Sequence, residues 1–171
     1  MQDPIQSKIF KLTDFILKKE EWKNAGQSIV FTNGVFDIVH KGHIDYLFKA
    51  SNKADKLVLG LNSDSSVKEL NKGDDRPINT EEDRAYLLAA FGFVDAIIIF
   101  DEDTPLNLIS TIFPDILVKG GDYNADAESG DPQYIVGSNM LKKYGGKVEV
   151  IPFLPGYSST NIIEKIRSFK S

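Results

Sequence analysis

The chain has no cysteine, which excludes disulfides, thiolate zinc sites and cysteine nucleophiles. Histidine and arginine are scarce: two histidines, His40 and His43, and three arginines, Arg76, Arg84 and Arg167. Basic residues are outnumbered, 20 against 25, for a net charge of −5. That balance argues against nucleic acid or a membrane surface as partner, since both call for a basic footprint. No run approaches the about 18 apolar residues of a membrane span, and the N-terminus carries no signal-like apolar stretch. These absences together point to the cytoplasm. What is present is ordinary for a soluble protein: 42% hydrophobic and 26% charged residues in a chain of 171. A chain of this size buries roughly 70% of its unfolded surface without help from a metal or cross-links. We read residues 1–171 as one domain.

Short apolar runs rich in Val and Ile alternate with longer helical patterns. The runs are Ser28 to Phe31, Lys56 to Leu61, Ala96 to Phe100, Ile116 to Val118 and Lys147 to Phe153. Between them, Leu12 to Ala25 has a helical apolar face and a stop at Gly26. Ile44, Leu47 and Phe48 repeat at helical spacing. Thr80 caps a helix with Glu81, Glu82 and Asp83 in its first turn. Asp103 or Thr104 before Pro105 opens another helix, and two more are expected over Gln133 to Tyr144 and Ser159 to Phe169. Strands alternating with helices predict an α/β fold, a Rossmann-like doubly wound parallel sheet of five strands. Such sheets bind ligands beyond the carboxyl ends of their strands. The acidic stretch Asn124 to Pro132 reads as an exposed, mobile loop.

Chemistry concentrates where that rule places it. Both histidines sit three residues apart in Phe31-Thr32-Asn33-Gly34-Val35-Phe36-Asp37-Ile38-Val39-His40-Lys41-Gly42-His43, after the first strand and at the opening of a helix. Gly34 allows a tight turn and Gly42 a close backbone approach. A helix N-terminus suits phosphate, and two imidazoles there can donate to the same oxygens. The competing readings are a plain surface pair and a zinc site completed by Asp37 or Asp45. The loop from Val67 to Asn79 brings Lys68, Lys72 and Arg76, with Arg84 on the next helix; these cations could hold a leaving pyrophosphate or form a solvated loop. Lys119-Gly120-Gly121-Asp122-Tyr123 follows the fourth strand, where two glycines clear space beside a cation and an acceptor. Ser158-Ser159-Thr160 opens the last helix, as a cap, as a phosphate site, or as both.

The first of these segments resembles the HxGH signature of the nucleotidylyltransferase superfamily, in its cytidylyltransferase-like branch. Asn62-Ser63-Asp64, Arg76-Pro77-Ile78-Asn79, Leu117-Val118-Lys119-Gly120-Gly121-Asp122-Tyr123 and Gly156-Tyr157-Ser158-Ser159-Thr160 extend the likeness from about Leu12 to Ile166. Together they are similar to the adenylyltransferase domain of bacterial bifunctional heptose kinase and adenylyltransferase enzymes. No sugar-kinase segment precedes residue 1, which implies a stand-alone transferase, and the stretch from Asn124 to Tyr134 is longer than the pattern.

The resemblance implies transfer of AMP from ATP to D-glycero-β-D-manno-heptose 1-phosphate, by direct in-line attack, with Mg²⁺ accompanying ATP and a homodimer as the working form. On its pattern His40, His43, Lys72 and Arg84 are catalytic. Thr32, Asn33, Gly34, Phe36, Gly42, Ser158, Ser159 and Thr160 join the histidines around the nucleotide. Asp37, Lys119, Gly121 and Asp122 meet the acceptor, Lys119 through its phosphate and Asp122 through its hydroxyls. No resident metal site is expected. A glycerol-3-phosphate cytidylyltransferase-like enzyme and a non-catalytic nucleotide-binding module are the two alternatives.

Overall fold

The computed structural model describes residues 3–70 and 75–169. Its centre is β2 (Ile29–Gly34), whose six residues pair along their full length with β3 (Lys56–Asn62). β4 (Ala96–Phe100) lies outside β3, and β5 (Ile116–Gly120) and β6 (Lys147–Ile151) extend the sheet from the other side of β2. A two-residue strand, β1 (Ile9–Phe10), closes the far edge against β4. The order is β1-β4-β3-β2-β5-β6 and every pairing is parallel. The sheet therefore has six strands where five were expected. Two residues are too few to carry a periodic signal, so β1 is invisible to pattern reading.

The strands alternate faces at period two. Val30, Leu57, Leu59, Leu61, Ile97 and Val118 meet α2 (Lys41–Ser51) and α4 (Glu81–Ala89) on one side. Ile29, Phe31, Val58, Ile98 and Leu117 meet α1 (Leu12–Asn24), α5 (Leu106–Ile112) and α6 (Ser138–Lys143) on the other. The strand entries are fastened by carboxylates: Asp115 accepts from the Ile29 amide at 2.7 Å, Asp95 from the Leu57 amide at 2.9 Å and Asp55 from the Ser28 amide at 2.8 Å.

Three expectations shift. A helix α3 (Asp64–Glu69), capped by Ser63, stands between β3 and α4. The helix expected from Gln133 contracts to α6, because Gly137 takes φ +87° and the residues before it run as a wall segment. On α2 the buried residues are Gly42, Tyr46, Leu47 and Ala50, while Ile44 and Phe48 are 40% and 53% exposed. Tyr46 decides that rotation, since its hydroxyl shares a 2.6 Å hydrogen bond with Thr32 inside the core. The Asn124 to Pro132 loop is largely exposed, as expected. It is also tied down: Lys142 donates to Ala125 and Asp126, Asn124 donates to Gln133, and Ala127 is buried. The last helix, α7 (Ser159–Ser168), agrees with its expected range to one residue.

The sheet centre has no spare volume. A β-carbon on Gly60 would lie 2.8 Å from Phe31 Cζ and 3.0 Å from Leu108 Cδ2. Gly60→Ala should therefore destabilise the fold by about 1–3 kcal/mol through overpacking. A lower urea midpoint with an unchanged slope is the expected result; an unchanged midpoint would show that the interior yields.

Candidate active site

β2 is where the chain reverses its direction of travel across the sheet: β3 and β4 are added on one side, β5 and β6 on the other. The carboxyl ends of β2 and β5 flank that switch point, which is where such sheets open a crevice. Lys119, near the end of β5, donates from Nζ to Asn33 Oδ1 of β2 at 3.0 Å, across the crevice floor. Its ammonium also sits 5.5 Å from the Tyr123 ring centroid.

The turn leaving β2 is shaped by Phe36, which takes φ +49° and is buried. Its ring lies against Gly34, where a β-carbon would approach to 2.9 Å. The chain then reaches His40, the N-cap of α2, whose Nδ1 accepts a 3.1 Å hydrogen bond from the Gly42 amide. An accepting Nδ1 leaves the proton of the neutral ring on Nε2. Burial lowers the His40 pKa from its ordinary value of 6.5 and so favours that neutral form. The His43 ring stacks on His40 at 3.9 Å, and Phe36 meets His43 edge-on at 5.5 Å. Gly42 has no room for a side chain, since a β-carbon would come within 2.9 Å of Tyr157 Cβ and 3.0 Å of His40 Cε1.

Two cavities share this floor. The larger, about 550 Å³, is walled by His43, Arg76, Lys119, Phe153, Ser159 and Thr160 together with the Asn33 to Asp37 turn. The smaller, about 330 Å³, lies toward β3 and β4 and is walled by Asn62, Asp103, Thr104, Tyr134, Ile135 and Val136. Asn33, Gly34, Val35, Lys119 and Tyr123 belong to both. At the rim of the smaller cavity the Glu69 carboxyl can donate a hydrogen bond to Asp103, which together with the Asp103 charge raises its pKa.

The structure gathers most of the expected residues and redistributes several. Asn33, Gly34, Phe36, His43, Ser159, Thr160 and Lys119 line the larger cavity, and His40 and Gly42 stand directly behind it. Ser158 caps α7 through the Asn161 amide, and Ser159 Oγ donates to the Ile38 carbonyl at 3.1 Å. The Thr32 side chain turns away, into the core, toward Tyr46. Burial raises the Tyr46 phenol pKa, an effect that the Thr32 hydrogen bond only partly opposes. Gly121 takes φ +94° under the Phe153 ring, and Asp122 is exposed, with its carbonyl accepting from Gln133. Lys72 lies outside the described residues.

Arg84 is 1% exposed and beneath the crevice. It donates to the carbonyls of Asn79 and Val35 and to Asp64 Oδ1 at 2.8 Å, so what the fold displays for it is anchorage. Asp37 borders the larger cavity, yet its carboxylate accepts from Arg76 Nε at 2.6 Å and from the amides of Ile78 and Asn79 at 2.9 Å. Asp45, the other carboxylate that could join the imidazoles around zinc, pairs with Lys49. The sequence groups Arg76 with Lys68 and Lys72 as loop cations for a leaving pyrophosphate, without singling it out. The Asp37 pairing that brings it to the cavity is a long-range contact with no local signature.

Residues 31–165 match the family model described as cytidylyltransferase-like. The chain belongs to that family. As a cytidylyltransferase-like protein it is a nucleotidyltransferase, with the histidine pair and the α7 hydroxyls at one cavity. It is 52% identical to the bifunctional protein HldE of Campylobacter jejuni over 175 residues, covering 98% of this chain and 35% of that relative. The chain thus spans about a third of the length of that curated relative. Among solved structures, it is similar to the lipopolysaccharide core biosynthesis protein of Thermoplasma volcanium, with TM-score 0.58, 29% identity and coverage of 75% of this chain and 98% of that one. Pantoate-beta-alanine ligase of Francisella tularensis, at 15% identity and TM-score 0.60 over 95% of this chain and 78% of that one, shares the fold alone. No helix among the described residues is long and apolar enough to cross a membrane.

The His40 cap gives this family member a pH signature. Its folded pKa lies below the unfolded 6.5, so the unfolded chain binds the proton more readily. The stabilisation is complete above that value and fades as pH falls through the folded pKa. The difference in melting temperature between wild type and His40→Ala should be constant above neutrality and shrink on acidification below pH 6.5, on the scale of a helix cap, about 1 kcal/mol. A difference that grows on acidification would overturn the assignment.

Proposed function

We propose that the chain transfers the adenylyl group of ATP to a sugar 1-phosphate, D-glycero-β-D-manno-heptose 1-phosphate, releasing pyrophosphate. The observation that carries the chemistry is the His40–His43 stack at the N-terminus of α2, with His43 facing the Ser159–Thr160 end of α7 across one cavity. The heptose is supported by the likeness to HldE relatives and by the Lys119-Gly120-Gly121-Asp122-Tyr123 stretch. On this reading the larger cavity takes the triphosphate and the smaller one the sugar, with Lys119 on their common floor. An oxygen of the acceptor phosphate attacks the α-phosphorus; the new P–O bond forms as the bond to the β-phosphate oxygen breaks, and pyrophosphate departs. The acceptor phosphate is largely ionised at neutral pH, its second pKa being about 6, so no general base is required. His40 Nε2–H and His43 donate to oxygens of the α-phosphate as charge builds there, which is electrostatic stabilisation of the transition state.

Among the described residues no group of three or more His, Asp or Glu side chains is placed to hold a metal. Mg²⁺ enters this reading on the phosphate oxygens of ATP itself, as it commonly does in nucleotide sites. A cytoplasmic location and a homodimer belong to the same proposal. The family description favours one second reading, a cytidylyl transfer from CTP to a polyol phosphate.

The test is pyrophosphate release from ATP or CTP with Mg²⁺ and a panel of acceptors, including the heptose 1-phosphate and glycerol 3-phosphate. Release with ATP and the heptose alone is expected. Release only from CTP would shift the reading to the cytidylyl alternative, and none with any pair would leave a nucleotide-binding module. In the active pair His43→Ala should lower kcat about 10²–10³-fold, the usual cost of one transition-state donor, with little change in the Kd for ATP. Near-wild-type kcat would remove His43 from the chemistry.

A further inference from the structure

The three arginines have three different fates. Arg84 is buried, with its donors directed at two carbonyls and Asp64. Arg167 is on exposed α7, paired with Asp75. Arg76 alone of the three lines the cavity that holds His43, Ser159 and Thr160. Its Nε donates to Asp37 Oδ2 at 2.6 Å, in an ion pair whose side chains are 10% and 0% exposed. The same carboxylate gathers the Ile78 and Asn79 amides at 2.9 Å, and the Asn79 side chain donates to the Asp37 carbonyl at 2.6 Å. The segment carrying Arg76 is therefore fastened to the turn that leads into the histidines, at five residues' distance from α4.

We propose that Arg76 is a catalytic residue that binds the two phosphates leaving as pyrophosphate, and that Asp37 is its positioning residue. A guanidinium has five N–H donors in a fixed plane. The bond to Asp37 uses the one on Nε and sets that plane. The four on Nη1 and Nη2 form the edge that matches phosphate oxygens in bidentate fashion. Holding the group beforehand removes the entropy otherwise lost on ordering a long side chain when the ligand binds. Arg76 also assists the reaction, because its attraction for the departing group grows as charge moves onto pyrophosphate. The inference rests on the larger cavity being the triphosphate site and is independent of which acceptor is used. It reassigns Asp37 from the acceptor to the cation beside it.

Calorimetric titration of inorganic tripolyphosphate into the wild-type protein, Arg76→Gln and Arg76→Lys, at two salt concentrations, tests the contact without any turnover. Melting curves of the unliganded proteins run beside it. Arg76→Gln should bind tripolyphosphate about 10- to 150-fold more weakly, the range for a lost hydrogen bond to a charged group, and with a shallower salt dependence. Arg76→Lys keeps a cation opposite buried Asp37 and should recover part of the affinity but not kcat, because the planar fork is gone. If Arg76→Gln fails to fold, the lysine variant decides alone. Asp37→Asn should weaken tripolyphosphate binding and lower kcat, each by less than Arg76→Gln does, and in an Arg76→Gln background it should lower neither further. Wild-type tripolyphosphate affinity and kcat in folded Arg76→Lys would overturn the proposal, as would losses confined to melting temperature. An intact tripolyphosphate result with no turnover on any acceptor would instead count against the sugar-phosphate reading, leaving this one in place.

Discussion

One buried guanidinium holds the site's framework. Arg84 bonds to the carbonyl of Val35 just past β2, to the carbonyl of Asn79 ahead of α4, and to Asp64 in the first turn of α3. One of those segments follows β2 and the other two lie at either end of the stretch between β3 and α4, and nothing apolar could satisfy their polar groups at once. Removing one partner of such a cluster leaves the others desolvated and unbonded, which commonly costs about 3–5 kcal/mol. Val35 is next to Phe36 and close to Asp37, so the same anchor sets the left-handed turn and the carboxylate that follows it. The histidine helix begins three residues later. The geometry at the cavity is in this sense inherited from a residue beneath it.

The electrostatic layout follows from the sheet. A parallel sheet aims the N-termini of its connecting helices at the crevice, and α2 and α7 both do so here, one bearing His40 as its cap and the other Ser158. Lys119 and Arg76 add full charges at the same cavity in a protein whose net charge is −5. A net negative surface with a locally positive crevice is compatible with an anionic small molecule and unfavourable for a nucleic-acid backbone. Tyr46 contributes by what it does not do: burial keeps its phenol neutral, and its hydrogen bond to Thr32 locks α2 against β2.

What the sequence made legible was whatever has a local signature. The alternation of Val- and Ile-rich runs with capped helices predicted the doubly wound sheet, and Thr80 is the cap of α4 as its first-turn acids suggested. The histidine spacing located the crevice, because a motif between a strand and a helix can lie in one place only. Partners far along the chain have no such signature. Arg84 is expected to be catalytic from the resemblance, and its carbonyl and carboxylate partners, up to 49 residues away, could not be read from its neighbours in sequence. Asp37 is expected at the acceptor from the resemblance, and its pairing with Arg76, 39 residues on, leaves no trace in either neighbourhood. Asp122 is expected at the acceptor from the resemblance; after Gly121, at positive φ, it is exposed, and the residues Tyr134 to Val136 that border the smaller cavity have no motif to announce them.

The short edge strand has a different bearing, on how the molecule assembles. Ile9 and Phe10 pair with Ile97 and Ile98, across more than half the chain, and contribute only two residues to the sheet. Closing so long a loop for so small a reward is entropically unattractive until β3 and β4 already exist. β1 is then a late addition and an early loss, a clasp that can fray while the β2–β5 seam and its crevice stay intact. Its brevity also leaves few unpaired backbone groups along that margin, so neighbouring molecules find little template for adding a strand of their own.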